Sequence, residues 1–346
     1  MKAMILAAGL GTRMRPLTDH CPKPLLPLLL QPMLEHTLAQ LQRYGIRDVM
    51  INLHHHAEQL AAWLGDGSRW DVHLSLSFEP EILGTAGALK RVEPWLRDAP
   101  FLVLNADVLL DVDLHALEHW HYQRQALVTM VVRPDPAARS YGAVVLDDDD
   151  RVLLINGHPA THARATGQET IFACVQMVDP QVLARIPPDR FITTTAEVYP
   201  ALLEHQEAVY GYRYTGYWID IGAPERYLQA HWDLLDGVLG DQWTQRLPRG
   251  SRVVLRPDDA RLAAPGVTLI PPVVLGPGVE LAPDVHLGPY AVLGARCQLA
   301  SGAVVRESIL WERVQVGAGA QVHGCTLASD IHVPAESTLV QVVRSR

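Results

Sequence analysis

No apolar run in these 346 residues reaches the ~20 needed to span a membrane, and the longest, Pro24 to Leu30, is broken by prolines. The apolar start, Met4 to Ala8, is equally brief, and Gly9, Gly11, Arg13 and Arg15 interrupt it where an export signal would continue. Cysteine is scarce: Cys21, Cys174, Cys297 and Cys325 lie far apart with no CxxC pair, so four reduced thiols and a cytoplasmic location are expected. Basic excess is also missing. With 29 Lys+Arg against 38 Asp+Glu, the formal net charge of −9 speaks against a nucleic-acid or anionic-membrane partner, because phosphate backbones reward a basic footprint. It leaves a local anion pocket open.

What is present is an alternation of short apolar runs and amphipathic stretches up to about Asp236. Strands are expected at Met4–Ala7, Val49–Leu53, Val72–Phe78 and Phe101–Leu104. Helices are expected from Met33 to Tyr44 (stopped by Gly45) and at Glu58–Leu64, Ala86–Leu96 and Leu114–Gln125. Such alternation predicts an α/β domain with a mostly parallel sheet covered on both faces and ligands beyond the carboxyl ends of its strands. The first strand then delivers Ala8, Gly9, Leu10, Gly11, Thr12 and Arg13 to that edge. After a connector at 237–265, apolar residues recur every sixth position. One column runs Val267, Val273, Val279, Val285, Ala291, Cys297, Ala303 and Ile309, and a second runs from Leu269 to Val305. Two interleaved hexad columns with Gly and Pro between them predict a parallel β-helix over 266–346, its phase faltering near Ser308–Glu312.

The chemistry-bearing residues fall into a few constellations. Gly9 and Gly11 let backbone N–H groups approach a polyphosphate, with Arg13 and Arg15 as cations and Pro22 and Pro24 fixing Lys23. The letters match neither GxGxxG nor a Walker loop. Ala7 to Thr18, together with Pro22-Lys23-Pro24, resembles the signature of sugar-1-phosphate nucleotidyltransferases, the NDP-sugar pyrophosphorylases. The pattern is closest to mannose-1-phosphate guanylyltransferases, which carry a C-terminal hexapeptide β-helix.

The resemblance implies a Rossmann-like nucleotidyltransferase domain at 1–236 and a left-handed β-helix behind it. It implies an NTP, with GTP expected, and a sugar-1-phosphate as partners. Arg13 and Lys23 would be catalytic, and Ala8, Gly9, Gly11 and Thr12 would join Arg13 on the nucleotide. Glu79-Pro80-Glu81-Ile82-Leu83-Gly84-Thr85-Ala86-Gly87 resembles the base-reading segment, where Gly84 and Thr85 would contact the base. The Glu79 carboxylate suits the paired N1–H and N2–H donors of guanine; otherwise Gly84 and Thr85 serve only as turn and cap.

Asp107, at the end of an apolar strand, and Asp220, after Tyr217-Trp218-Ile219, match the family's two Mg²⁺-binding aspartates. Asn105, Gly142 (in Tyr141-Gly142-Ala143-Val144-Val145) and Glu169 are the implied sugar contacts. The family's sugar-phosphate lysine has no counterpart near Leu153–Pro159, which leaves Arg164 or His158 as substitutes. Asp111 and Asp113 are expected to cap a helix, and Asp147–Asp150 to form a solvated hairpin loop. The run His54-His55-His56 reads as a strand-to-helix turn, because three consecutive strand residues do not converge on one ion.

Competing functions are uridylyl or thymidylyl transfer to another hexose- or heptose-1-phosphate. Two lie in other classes: acyl transfer at the β-helix with His286, His323 or His332 as base, or a non-catalytic regulatory subunit. Open strand edges and flat coil faces lead us to expect a homo-oligomer through the β-helix.

Overall fold

Three runs rich in Val, Ile, Leu and Met lie side by side as buried parallel strands: Lys2–Leu6 (β1), Asp48–Leu53 (β2) and, on the other side of β1, Phe101–Asn105. The computed structural model describes residues 1–136, 138–160, 168–240, 242–255 and 266–345. Packing groups the chain into two compact units, Met1–Leu10 with Thr37–Asp220, and Gly11–His36 with Ile221–Arg346. This division follows compactness; the partition at residues 236 and 265 follows sequence pattern.

In the first unit the parallel sheet continues through His73–Phe78 (β3), paired with β2. Next come the helix Gly84–Arg91 (α1), the strand Phe101–Asn105 (β4), the short strand Val108–Leu110 (β5) and the helix Leu114–Gln123 (α2). The helix expected over Ala86–Leu96 is broken: α1 stops at Arg91 and a separate turn covers Glu93–Leu96. Pro94 explains the break, since it has no N–H to donate and favours the first turn of a new helix. Beyond β4 the sheet turns antiparallel. The strand Glu169–Val178 pairs with β4, with Val128–Pro134 and with Ala143–Leu146, so the whole is a mixed, Rossmann-like sheet. Its core joins Met4, Leu89, Phe101, Val103, Met130 and Tyr199, all buried. Asp147 accepts from the backbone of Asp149 and Arg151 in the turn between Ala143–Leu146 and Val152–Ile155, which gives the hairpin loop expected there.

The second unit contains the coil, described from Gly266 to Ser345. Three sheets of two- and three-residue parallel strands stack along it, with Val285, Leu287, Cys297, Leu299, Ala303 and Val305 filling the interior. From the connector, Arg252–Val254 adds an antiparallel strand against Val273–Leu275. The faltering phase has a simple geometric cause. Val273 faces Ala291, a step of 18 residues, but Ala291 faces Ser308, a step of 17. One residue is lost at the corner, so Ser308 takes the interior position and Ile309 lines up with Val292. Ile309 therefore leaves the inward column to which the hexad count assigns it. Ser308 is tolerated inside because its Oγ donates to Arg306 O (2.7 Å) and accepts from Cys325 N (3.0 Å).

None of the four cysteines is in a disulfide, and no helix among the described residues is long and apolar enough to cross a membrane. Among the described residues three histidines are held neutral by burial, His36 of the second unit being one of them, lowered to about 4. Burial lowers His121 in the first unit to about 4 and His231 in the second to about 3, from an ordinary 6.5. The unfolded chain takes up these protons first as pH falls. The stability they contribute is therefore complete above about pH 6.5 and is lost on the way down towards their folded values. Thermal unfolding midpoints should fall steadily from pH 7 to pH 5; a midpoint that rises over that interval would contradict the burial of neutral imidazoles.

Candidate functional site

Beyond Leu6 the chain leaves β1 at the carboxyl edge of the sheet, and its first loop residues are held by side chains of neighbouring strands. Ala7 N donates to Asn52 Oδ1 at 2.8 Å, Asn52 Nδ2 donates to Glu79 Oε1 at 2.8 Å, and Leu83 N donates to Glu79 Oε2 at 3.0 Å. Glu79 is itself anchored through its backbone, N to Leu53 O and O to His54 Nδ1, both 2.8 Å. The carboxylate expected to read a guanine is only 3% exposed, and both its oxygens are bonded inside the protein. Each oxygen thus accepts one bond from the protein, and Glu79 ties Asn52 to the segment before α1.

Ala8 is buried, while Gly9 and Leu10 are exposed. A methyl group placed on Gly9 would meet nothing within 4 Å, and Gly9 is not among the left-handed glycines. The protein's own packing does not ask for glycine there. Gly84 is the opposite case. It sits at φ +72°, and a Cβ would come to 2.6 Å from Ile192 O. Ile192 O accepts from Ala86 N and Gly87 N, and Thr85 Oγ1 accepts from Thr194 N at 2.8 Å. The Leu83–Gly87 corner is thus locked onto Ile192–Thr194, with Gly84 as the turn.

The two candidate metal-binding acids are brought together by strand register. Asp107 follows β4 in a tight turn whose Ala106 N returns to Leu6 O. The strand Trp218–Asp220 pairs antiparallel with β5, setting Asp220 directly opposite Val108, the residue after Asp107. Both are half-buried. Among the described residues no group of three or more His, Cys, Asp or Glu could hold an ion. Two carboxylates fit Mg²⁺, which keeps waters and takes further oxygens from phosphates.

Of the neighbouring acids, Asp113 caps α2, accepting from His115 N (2.9 Å) and Ala116 N (3.0 Å). Asp111 does not cap. It accepts instead from Tyr214 OH, which also reaches Tyr217 O at 2.7 Å. Asn105, half-buried, ends β4 opposite Leu6. Gly142, at φ +89°, lies hard against the Asn156 side-chain oxygen. Glu169 is engaged by Arg139, whose Nε lies 2.9 and 3.0 Å from its two oxygens, and this ion pair holds its carboxyl below the usual range. His158 is exposed in the short strand His158–Pro159; Arg164 lies outside the described residues.

In the second unit Gly11, at φ +64°, opens the short turn Thr12–Met14, and Thr18 Oγ1 donates back to Gly11 O at 2.9 Å. Met14 and Leu17 anchor the loop by burial, leaving Thr12 and Arg13 exposed, while Lys23 is only 9% exposed. Arg15 pairs with Asp19 at 3.2 Å. Sequence reasoning overlooked Asn52 and Thr194. The signal for Asn52 was present as the one amide inside an otherwise apolar strand, Val49-Met50-Ile51-Asn52-Leu53.

A family model described as "Nucleotidyl transferase" matches residues 2–237. A UTP–glucose-1-phosphate uridylyltransferase of Synechocystis is 31% identical over 340 residues, spanning 93% of this chain and 86% of the relative. A mannose-1-phosphate guanylyltransferase of Mycobacterium tuberculosis is 34% identical over 275 residues, 79% of this chain and 74% of the relative. Among solved structures, HddC from Yersinia pseudotuberculosis superposes with a TM-score of 0.57 at 23% identity, covering 67% of this chain and 99% of that one. At that identity the likeness concerns the fold.

The two glycines give opposite expectations. Gly84→Ala should lower stability by roughly 2 kcal/mol or more, since a left-handed backbone and a carbonyl contact both oppose a Cβ. Gly9→Ala should stay within about 0.5 kcal/mol of wild type. Urea unfolding of both variants checks this, and equal losses would refute the distinction.

Proposed function

The chain belongs to the nucleotidyl transferase family, and on that premise we propose that it joins the guanylyl group of GTP to mannose-1-phosphate, releasing pyrophosphate. Sugar-1-phosphate nucleotidyl transfer is the reaction; guanine and mannose are the finer assignment. The observation that carries the reading is Gly9, a glycine at the carboxyl end of a parallel strand that neither backbone strain nor packing requires. Space left open at that edge suits the close approach of a phosphate to backbone N–H groups.

In the reaction an oxygen of the sugar phosphate forms a bond to the α-phosphorus of the NTP. The bond from that phosphorus to the β-phosphate bridging oxygen breaks, and pyrophosphate leaves with the electron pair. The nucleophile is already anionic, so no residue need remove a proton. What remains for the protein is placement and neutralisation of charge. We assign Arg13 and Lys23 to the phosphate oxygens, Arg13 as an exposed fork and Lys23 as a nearly buried point charge. Asp107 and Asp220 would hold Mg²⁺, whose charge, when bound, offsets that of the phosphates. Ala8, Gly9, Gly11 and Thr12 supply backbone to the nucleotide, and Asn105 and Gly142 are assigned to the sugar.

Support for guanine and mannose comes from the Mycobacterium relative. The Synechocystis relative covers more of this chain and favours a second reading, UTP with glucose-1-phosphate. Pyrophosphate release from a panel of NTPs against a panel of sugar-1-phosphates separates them. GTP with mannose-1-phosphate should exceed UTP with glucose-1-phosphate in kcat/KM by roughly tenfold or more; the reverse ranking would replace the first reading by the second. Silence across the panel would overturn both.

Asp107→Asn and Asp220→Asn should each cut kcat roughly 100-fold or more while unfolding midpoints stay near wild type. Near-normal turnover in Mg²⁺ for either variant would remove that residue from the metal assignment.

A further inference from the structure

Ala7, Asn52, Glu79 and Leu83 form a continuous chain of buried or half-buried hydrogen bonds across three adjacent parallel strand ends. Its two termini are backbone N–H groups. One belongs to the residue that begins the loop after β1, the other to the residue that leads into α1. Between them lie only two side chains, and each uses both of its polar atoms. We infer that Asn52 and Glu79 are positioning residues that set the Ala8–Gly9 backbone against the Leu83–Thr85 backbone, so that the phosphate-holding and base-holding segments keep a fixed separation. This rests on the reading that those two segments contact the nucleotide.

The bond polarity of the chain makes the inference specific. Ala7 N–H and Leu83 N–H can only donate. Asn52 must therefore turn Oδ1 towards Ala7, which leaves its Nδ2 as a donor facing Glu79. An ionised Glu79 accepts from both sides. Glu79→Gln breaks this pattern, because whichever way the new amide turns, one pair of donors faces each other. Asn52→Asp breaks it differently, setting one carboxylate against another. The double variant Asn52→Asp with Glu79→Gln restores it: Asp at 52 accepts from Ala7 N–H and from the Gln amide, and the Gln oxygen accepts from Leu83 N–H. Formal charge is unchanged in the pair. Every bond in the chain joins protein groups, so an effect that the double variant reverses travels through the two backbone segments.

Steady-state kinetics with GTP and with UTP, varied against fixed sugar-1-phosphate and the reverse, test this on the full chain. Each single variant should raise KM for the nucleotide by roughly tenfold or more, leave KM for the sugar-1-phosphate within about twofold, and change kcat less than KM. The double variant should return the nucleotide KM to within roughly threefold of wild type. A merely structural role would weaken both substrates together and would show no such recovery.

Single variants with an unchanged nucleotide KM overturn the inference, as does equal weakening of both substrates or a double variant no better than the worse single. If a single variant does not fold, the double decides: folded with a near-wild-type nucleotide KM it supports the inference, and unfolded or still impaired it overturns it. A wild-type enzyme that turns over no NTP removes the functional reading and this inference with it. A wild type that turns over NTP with indifferent single variants removes the inference alone.

Discussion

A parallel strand that stops leaves backbone N–H groups without a ladder partner, and satisfying them where water is excluded is the constraint on which both units depend. At the carboxyl edge of the first unit the answer is a side chain reaching across from the next strand. Asn52 takes Ala7 N, and Glu79 takes Leu83 N. Where backbone can close on backbone, it does, as Ala106 N returns to Leu6 O. Leaving such a buried donor unpaired costs about 1–3 kcal/mol, enough to matter against the marginal stability of a folded domain. The loops that leave this edge can be irregular because their first residues are not.

The coil of the second unit meets the same constraint by repetition. Its strands are two or three residues long, and nearly every backbone donor finds the carbonyl one coil on, as Thr268 N finds Val285 O and His286 N finds Ala303 O. The interior can then be apolar and of mixed size, with Ala291 and Ala303 beside Leu287 and Leu299. Losing one residue at a corner disturbs this only locally. The step shortens from 18 to 17 residues and holds there, with Val304 facing Gln321 and Gln321 facing Thr338. The polar side chain drawn inside at the change, Ser308, accepts from Cys325 N.

Apolar periodicity made the strands at Val49–Leu53, His73–Phe78 and Phe101–Leu104 legible, as it did the hexad coil, because burial acts on each residue wherever its partners lie. The break at Pro94 was equally local and could have been read. The internal bonding of Glu79 was not legible, for a different reason. Its partner Asn52 lies 27 residues away, and nothing in either stretch announces that the amide and the carboxylate meet. A carboxylate beside a segment that resembles a base-reading motif invites a ligand, and only three-dimensional placement reveals that both its oxygens also bond within the protein. Ile309 failed through phase: the faltering near Ser308–Glu312 was legible, but a count of six does not say at which residue one coil comes up short.

The glycines and acids show how the reaction shapes what the fold must supply. An anionic nucleophile displacing pyrophosphate asks for no proton shuttle. It asks for room and for positive charge around the phosphates. Room is found at Gly9, where the protein leaves a Cβ unopposed, and is withheld at Gly84, where Ile192 O closes the turn. On the proposed reading, Asp107 and Asp220, set at one end of a two-stranded ribbon, would share a Mg²⁺ whose remaining oxygens come from water and phosphate. Rigidity is concentrated in the backbone at this sheet edge, where Asn52 and Glu79 secure Ala7 N and Leu83 N through buried bonds.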